Sequence, residues 1–133
     1  MPSEPAYKSV SDSTGRAVYM PSGSTDLVSS AARTITTNHD IWDVGKFPGR
    51  CVTIDPNVTA ASGTSPTLDL IVQQSSDGDT WHDTNDVKGT AFAQVTAVSN
   101  PAAKSFQIKG NLLRVRAVIG GTTPSFTYVV TLS

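Results

Sequence analysis

Val58-Thr-Ala-Ala-Ser-Gly-Thr-Ser-Pro-Thr-Leu-Asp-Leu-Ile-Val-Gln-Gln-Ser-Ser-Asp-Gly-Asp-Thr-Trp81 is the stretch that decides the reading of this chain. Leu68, Leu70 and Val72 fall on one side of an extended backbone, and Asp69, Ile71 and Gln73 on the other. That two-residue period is the mark of a strand with one face in a core. Upstream, Ser62-Gly63-Thr64-Ser65-Pro66 reads as a turn cluster. Downstream, Asp77-Gly78 is a hairpin signal, because Gly takes a positive φ without steric cost, and Trp81 should open the return strand and pack on the sheet. The same alternation recurs outward from this stretch, at 51–55, 92–98, 105–108, 113–119 and 126–132, with Gly110-Asn111 and Gly120-Gly121 as turns. With 29–37 and 41–44 this makes about eight short strands separated by turn residues, and no segment carries a 3.6-residue apolar stripe.

The fold expected is all-β, an antiparallel β-sandwich of jelly-roll or immunoglobulin-like type over residues 27–133. Its expected core is Val52, Ile54, Leu68, Leu70, Val72, Trp81, Val115, Ala117, Phe126, Tyr128 and Val130. No internal repeat is expected, since the Val-Thr-Ala pairs at Val58 and Val95 are too short to count. Residues 1–26 differ from the rest, with Pro2, Pro5, Gly15, Pro21 and Gly23 among many Ser and Thr. Such a segment buries too little apolar area to order alone. Its apolar residues Tyr7, Val10, Val18, Tyr19 and Met20 suggest an extended N-terminal arm that orders on a partner. The opposite strand faces carry Ile71, Val118 and Val129, which are apolar for a solvent side and point to contact with a sister subunit.

Composition narrows the function classes. In 133 residues, charged side chains are 16% and the net charge is -1, with Lys and Arg scattered singly. Nucleic-acid binding needs a clustered positive face, so none is expected. No run approaches the ~20 apolar residues of a membrane helix, and residues 1–10 lack the apolar core of a signal peptide. The single cysteine, Cys51, is expected as a small buried hydrophobe, and its isolation suits assembly in a reducing cytoplasm.

No catalytic constellation is present. His39 and His82 each stand beside an Asp at a turn, without metal-ligand spacing, and are expected as exposed loop residues. Asp77, Asp79, Asp83 and Asp86 surround Trp81 and invite a calcium reading, but they lack the EF-hand pattern. Ser75-Ser-Asp-Gly-Asp-Thr-Trp81 resembles an Asp-box turn with one residue missing, and that turn is a structural device. The chain is therefore expected to bind rather than catalyse, with no cofactor and no metal. A sugar-binding module, stacking Trp42 or Trp81 on a glycan, is the alternative.

The run from Val58 to Trp81, together with Leu113-Arg-Val-Arg-Ala-Val-Ile-Gly-Gly-Thr-Thr-Pro-Ser-Phe-Thr-Tyr128, resembles small structural proteins of the virions of tailed bacteriophages. In those proteins a "V-T-A-A-S-G-T-x-P-T-L-D" edge leads to "S-x-D-G-x-x-W", and an "L-R-x-x-x-x-x-G-G-T-x-P-S-F-T" hairpin closes the domain. The similarity spans roughly half the chain and excludes the arm. It implies a capsid decoration or minor capsid protein, located on the capsid surface and assembled in the host cytoplasm. Such a protein binds the major capsid protein as a homo-oligomer, a trimer being the expected state. It transfers no catalytic residues. With that resemblance the sugar-binding alternative becomes a module of a tail fibre or baseplate, and a tail or neck component is the related alternative.

Overall fold

Two β-branched, alternating runs carry the architecture, which the computed structural model describes for residues 8–11, 17–19, 21, 24–45 and 51–133. The strands among these are β1 (Lys8–Ser11), β2 (Ala17–Tyr19), β3 (Thr25–Arg33), β4 (Thr37–Asn38), β5 (Ile41–Asp43), β6 (Cys51–Ser75), β7 (His82–Thr84), β8 (Lys104–Gln107) and β9 (Leu112–Leu132). The fold is all-β, with no helix among the described residues. The strands form one open sheet whose main path is β1-β2-β5-β9-β6-β7, with β3 and β4 on β9 and β8 on β6. The sheet is mixed, because β2 runs parallel to β5, which corrects the purely antiparallel expectation.

The clusters at 62–66 and 120–121 do not turn the chain. β6 and β9 pass straight through them as one antiparallel ribbon, from Ile54 opposite Leu132 to Ser75 opposite Leu112. Gly63 and Gly121 take φ of 112° and 110°, and Ser65 and Thr123 take 48° and 47°. The two motifs face each other. A Cβ on Gly63 would lie 2.8 Å from the Thr123 carbonyl oxygen, and one on Gly121 would lie 2.7 Å from that of Ser65. The ladder slips register on either side of Thr64 and resumes at Thr67 opposite Gly120, as at a β-bulge.

These motifs belong to an internal duplication, contrary to the sequence expectation. Gly63-Thr-Ser-Pro-Thr-Leu68 matches Gly121-Thr-Thr-Pro-Ser-Phe126, and Thr34-Ile-Thr-Thr-Asn38 matches Thr96-Ala-Val-Ser-Asn100. The pairing is reciprocal. Arg33 and Thr37 cross β9 opposite Phe126 and Ala117, while Val95 and Ser99 bridge β6 at Leu68 and Val58. Likewise β3 lies on the end of β9 as β7 lies on the end of β6, and β5 and β8 flank the two ribbon starts. Each half therefore pairs with the long strand of the other. The 92–98 run accordingly makes only the bridge at Val95, and no continuous strand.

Inward-facing residues of both ribbon halves meet in one apolar cluster. Val52, Ile54, Val58, Phe126, Tyr128 and Val130 come from one half, and Leu68, Leu70, Val72, Leu113, Val115 and Ala117 from the other. Apart from Trp81, every expected core residue is buried. Trp42 joins the cluster at 2% exposure, its indole Nε1 donating to the Leu27 carbonyl at 3.2 Å. Cys51 is exposed, because strand parity puts it on the outward side with Thr53 and Asp55 while Val52 and Ile54 turn in.

Candidate protein interface

The outward side of the ribbon differs between its two halves. On the 67–75/112–120 half, outward positions are Asp69, Ile71 and Gln73 on β6, paired with Val118, Arg116 and Arg114 on β9. Arg114 is nearly buried, at 7% exposure, although strand parity turns it outward. What covers it is Trp81, whose ring lies 4.3 Å from the guanidinium carbon. Trp81 is thus half-buried on the outer face and does not enter the core. Strand parity puts the indole on the outward side with Asp83, which lies opposite the outward-facing Gln73. Arg114 Nε donates to Gln73 Oε1 at 2.8 Å, and Gln73 Nε2 donates to Asp83 Oδ1 at 2.7 Å. Gln94 Nε2 donates to both Asp69 carboxylate oxygens, at 3.3 and 3.0 Å.

The turn feeding Trp81 is internally satisfied. Asp77 Oδ1 accepts from the backbone N–H groups of Asp79 and Thr80, each at 2.9 Å, and from Ser75 Oγ at 3.1 Å. Ser75 Oγ accepts from Gly78 N at 2.9 Å, and Trp81 Nε1 donates to the Gly78 carbonyl at 3.2 Å. The backbone donors, that of Thr80 first, hold the Asp77 carboxyl below its ordinary pKa. The turn therefore works as the Asp-box resemblance implies, as a clamp that aims the indole. Among the described residues, no group of three or more His, Cys, Asp or Glu side chains is placed to hold a metal ion.

Ile71, Arg116 and Val118 are half-buried on this face. Among the described residues, Arg116 has no hydrogen-bond or ion-pair partner. Trp and Arg are residue types enriched at binding hot spots, and a pre-aimed aromatic has little entropy left to lose on contact. On the other half the outward side carries Thr53, Asp55, Asn57 and Thr59 opposite Thr127, Val129 and Thr131. Asp55 is exposed and has no partner among the described residues, while Asp26 accepts from Thr131 Oγ1 at 3.3 Å. Val129 is half-buried there.

The remaining sequence candidates fall elsewhere. Val18 is fully buried and Tyr19 packs on Trp42 with ring centroids 5.6 Å apart, so both serve the chain's own sheet. Tyr7 and Met20 lie outside the described residues, and of Val10 only the backbone in β1 is described. His82 is exposed, lining a cavity of about 200 Å³ with Gln74, Ser76, Thr84 and Lys109. His39 is no free loop histidine. It is half-buried, with Nε2 2.8 Å from the Tyr128 hydroxyl, and burial, aided by the Arg33 charge, lowers its pKa to about 4. Burial also raises Tyr128 to about 12, and the Arg33 guanidinium sits 4.9 Å from that ring. Asp86, in the 85–104 excursion, accepts from Lys88 N, Thr90 N and Thr90 Oγ1 and pairs with Lys104 at 3.3 Å. The backbone donor of Thr90 leads in holding its pKa down at about 2.

No protein-family model matches the chain, and no curated protein matches it in sequence.

Proposed function

We propose that this chain is a structural component of a virion, a decoration protein that docks on the major capsid protein of a tailed-phage head and stabilises it. The observation that carries the reading is the outer face built on Trp81, Arg114, Arg116, Ile71 and Val118. An indole clamped by its own turn, laid over a guanidinium and flanked by half-buried aliphatics, is organised for contact with another protein.

The proposal includes a two-layer sandwich. A straight strand of the length of β6 would reach ~80 Å at about 3.3 Å per residue. The accessible surface is 6729 Å², against about 6,700 Å² for a compact protein of this mass. Together with the single apolar cluster shared by both ribbon halves, this argues that the ribbon folds over at the paired Gly-Thr-Ser/Thr-Pro motifs. The two outward faces then point away from each other, as suits a clamp between neighbours on a shell.

The test is co-sedimentation with empty shells built from the major capsid protein of the phage that encodes the chain. The wild type should sediment with the shells and Trp81→Ala should lose at least tenfold in affinity while keeping its β circular dichroism. Wild type that ignores the shells, or Trp81→Ala that binds them fully, would count against the reading. The half-exposed Trp81 also favours sugar stacking as a second reading, whereas buried Trp42 does not. A glycan array showing binding lost on Trp81→Ala would support it in place of shell docking.

A further inference from the structure

We infer that the two outer ribbon faces are halves of one self-association contact, the Arg116 face of one copy seating on the Asp55 face of the next. The duplication makes the faces comparable position by position. Ile71 on β6 corresponds to Val129 on β9, since Leu70 and Tyr128 hold matching inward positions beside them. Arg116, opposite Ile71, corresponds to Asn57, opposite Val129, and Arg114 to Asp55. Each face therefore has a half-buried aliphatic at its centre, but the polar residues around it differ in sign.

The charges decide the partner. On the first face the carboxylates of Asp69 and Asp83 are each taken up by a carboxamide, from Gln94 and Gln73. Arg114 is held by Gln73 and covered by Trp81. Arg116 is left as the half-buried cation without a partner among the described residues. On the second face Asp26 is engaged by Thr131, and Asp55 is exposed without a partner. Two like faces meeting would leave Arg116 opposite a surface whose carboxylates, Asp69 and Asp83, are already engaged by Gln94 and Gln73. Unlike faces meeting set Ile71 and Val118 on Val129 and give Arg116 a carboxylate. The occupant is thus a second copy of this chain, joined head to tail, and a rotation that closes makes a ring. About 800 Å² per partner suffices for a stable contact of this kind.

The inference rests on the two-layer reading, in which the faces point apart, but it does not require a shell. Sedimentation-velocity centrifugation of the full chain tests it with Arg116→Glu, Asp55→Arg and the double exchange, each checked for wild-type circular dichroism. The wild type should form a closed oligomer above a dimer. Either single reversal should weaken association at least tenfold, and the double exchange should restore it, because the pair is rebuilt with its signs swapped. A monomeric wild type, a dimer, or an oligomer indifferent to the reversals would overturn the inference. Shell binding by a monomer would leave the decoration reading standing without it, and a ring that ignores shells would do the reverse.

Discussion

Replacing glycines one at a time separates the two constraints that the facing glycine motifs of the ribbon impose. At Gly89 φ is +80° and an added Cβ meets nothing within 4 Å, so Gly89→Ala measures the backbone cost alone. That cost is about 1–2 kcal/mol for a residue forced into the left-handed region. At Gly110 the conformation is ordinary, but the Cβ would lie 2.7 Å from the Ser75 carbonyl oxygen, so Gly110→Ala measures the contact alone. Backbone that must move to admit a methyl costs about 1–3 kcal/mol. Gly121 carries both, with φ +110° and backbone atoms of Ser65 and Pro66 at 2.7 and 2.9 Å, and Gly63 mirrors it against Thr123 and Pro124. Gly121→Ala and Gly63→Ala should therefore each cost about 2–5 kcal/mol, the sum of the two contributions. Thermal unfolding followed by near-ultraviolet circular dichroism gives the readout, with roughly 3–5 °C lost per kcal/mol at this chain length. The Gly63 and Gly121 variants should fall well below both single-constraint variants, and by similar amounts. Gly63 and Gly121 variants no less stable than Gly89→Ala would refute the face-to-face packing of the two motifs, and a large asymmetry between them would refute the duplication.

Three further outcomes follow from the side chains. Trp81→Ala should cost about 1–2 kcal/mol by chemical denaturation, for a half-buried ring and one cation–π contact, where a core tryptophan would cost about 3–5. Asp86 is held below its ordinary pKa, so it stabilises the fold above about 4 and that support fades as pH falls towards 2. Asp86→Asn should lower the melting temperature at neutral pH and flatten the acid limb, and an unchanged limb would contradict the hydrogen bonds assigned to it. His39 is also depressed, but as a base: the unfolded chain takes up a proton below about 6.5 while the folded one resists it until about 4. Stability should therefore decline as pH falls between those values and level off below, and His39→Gln should abolish that slope in a melting-temperature series.

The fold's inward faces were legible because period-two alternation survives wherever one side of a strand is buried. Val52 and Ile54, Leu68 to Val72, Val115 and Ala117, and Phe126 to Val130 all lie where that pattern puts them. The two long strands were not legible. Gly and Pro ordinarily break strands, and only the partner motif across the ribbon, so close that a Cβ on either glycine would meet its backbone within 3 Å, shows why these do not. Comparing Gly63-Thr-Ser-Pro with Gly121-Thr-Thr-Pro would have exposed the duplication from sequence alone. Trp81 was assigned to the core as the opening of a hairpin's return strand packed on the sheet, yet Arg114, two residues from Arg116 on the outward side, is what it covers. Ile71, Val118 and Val129 were readable as outward and apolar, but that Arg116 and Asp55 lack a partner among the described residues needed the hydrogen-bond map of both faces.

Counting this chain in purified virions by quantitative mass spectrometry tests the account's central claim most directly. The account predicts many copies per head, in fixed ratio to the major capsid protein and lost on substitution of Trp81. Particles that carry none, or only the handful that a neck ring or fibre needs, would contradict it.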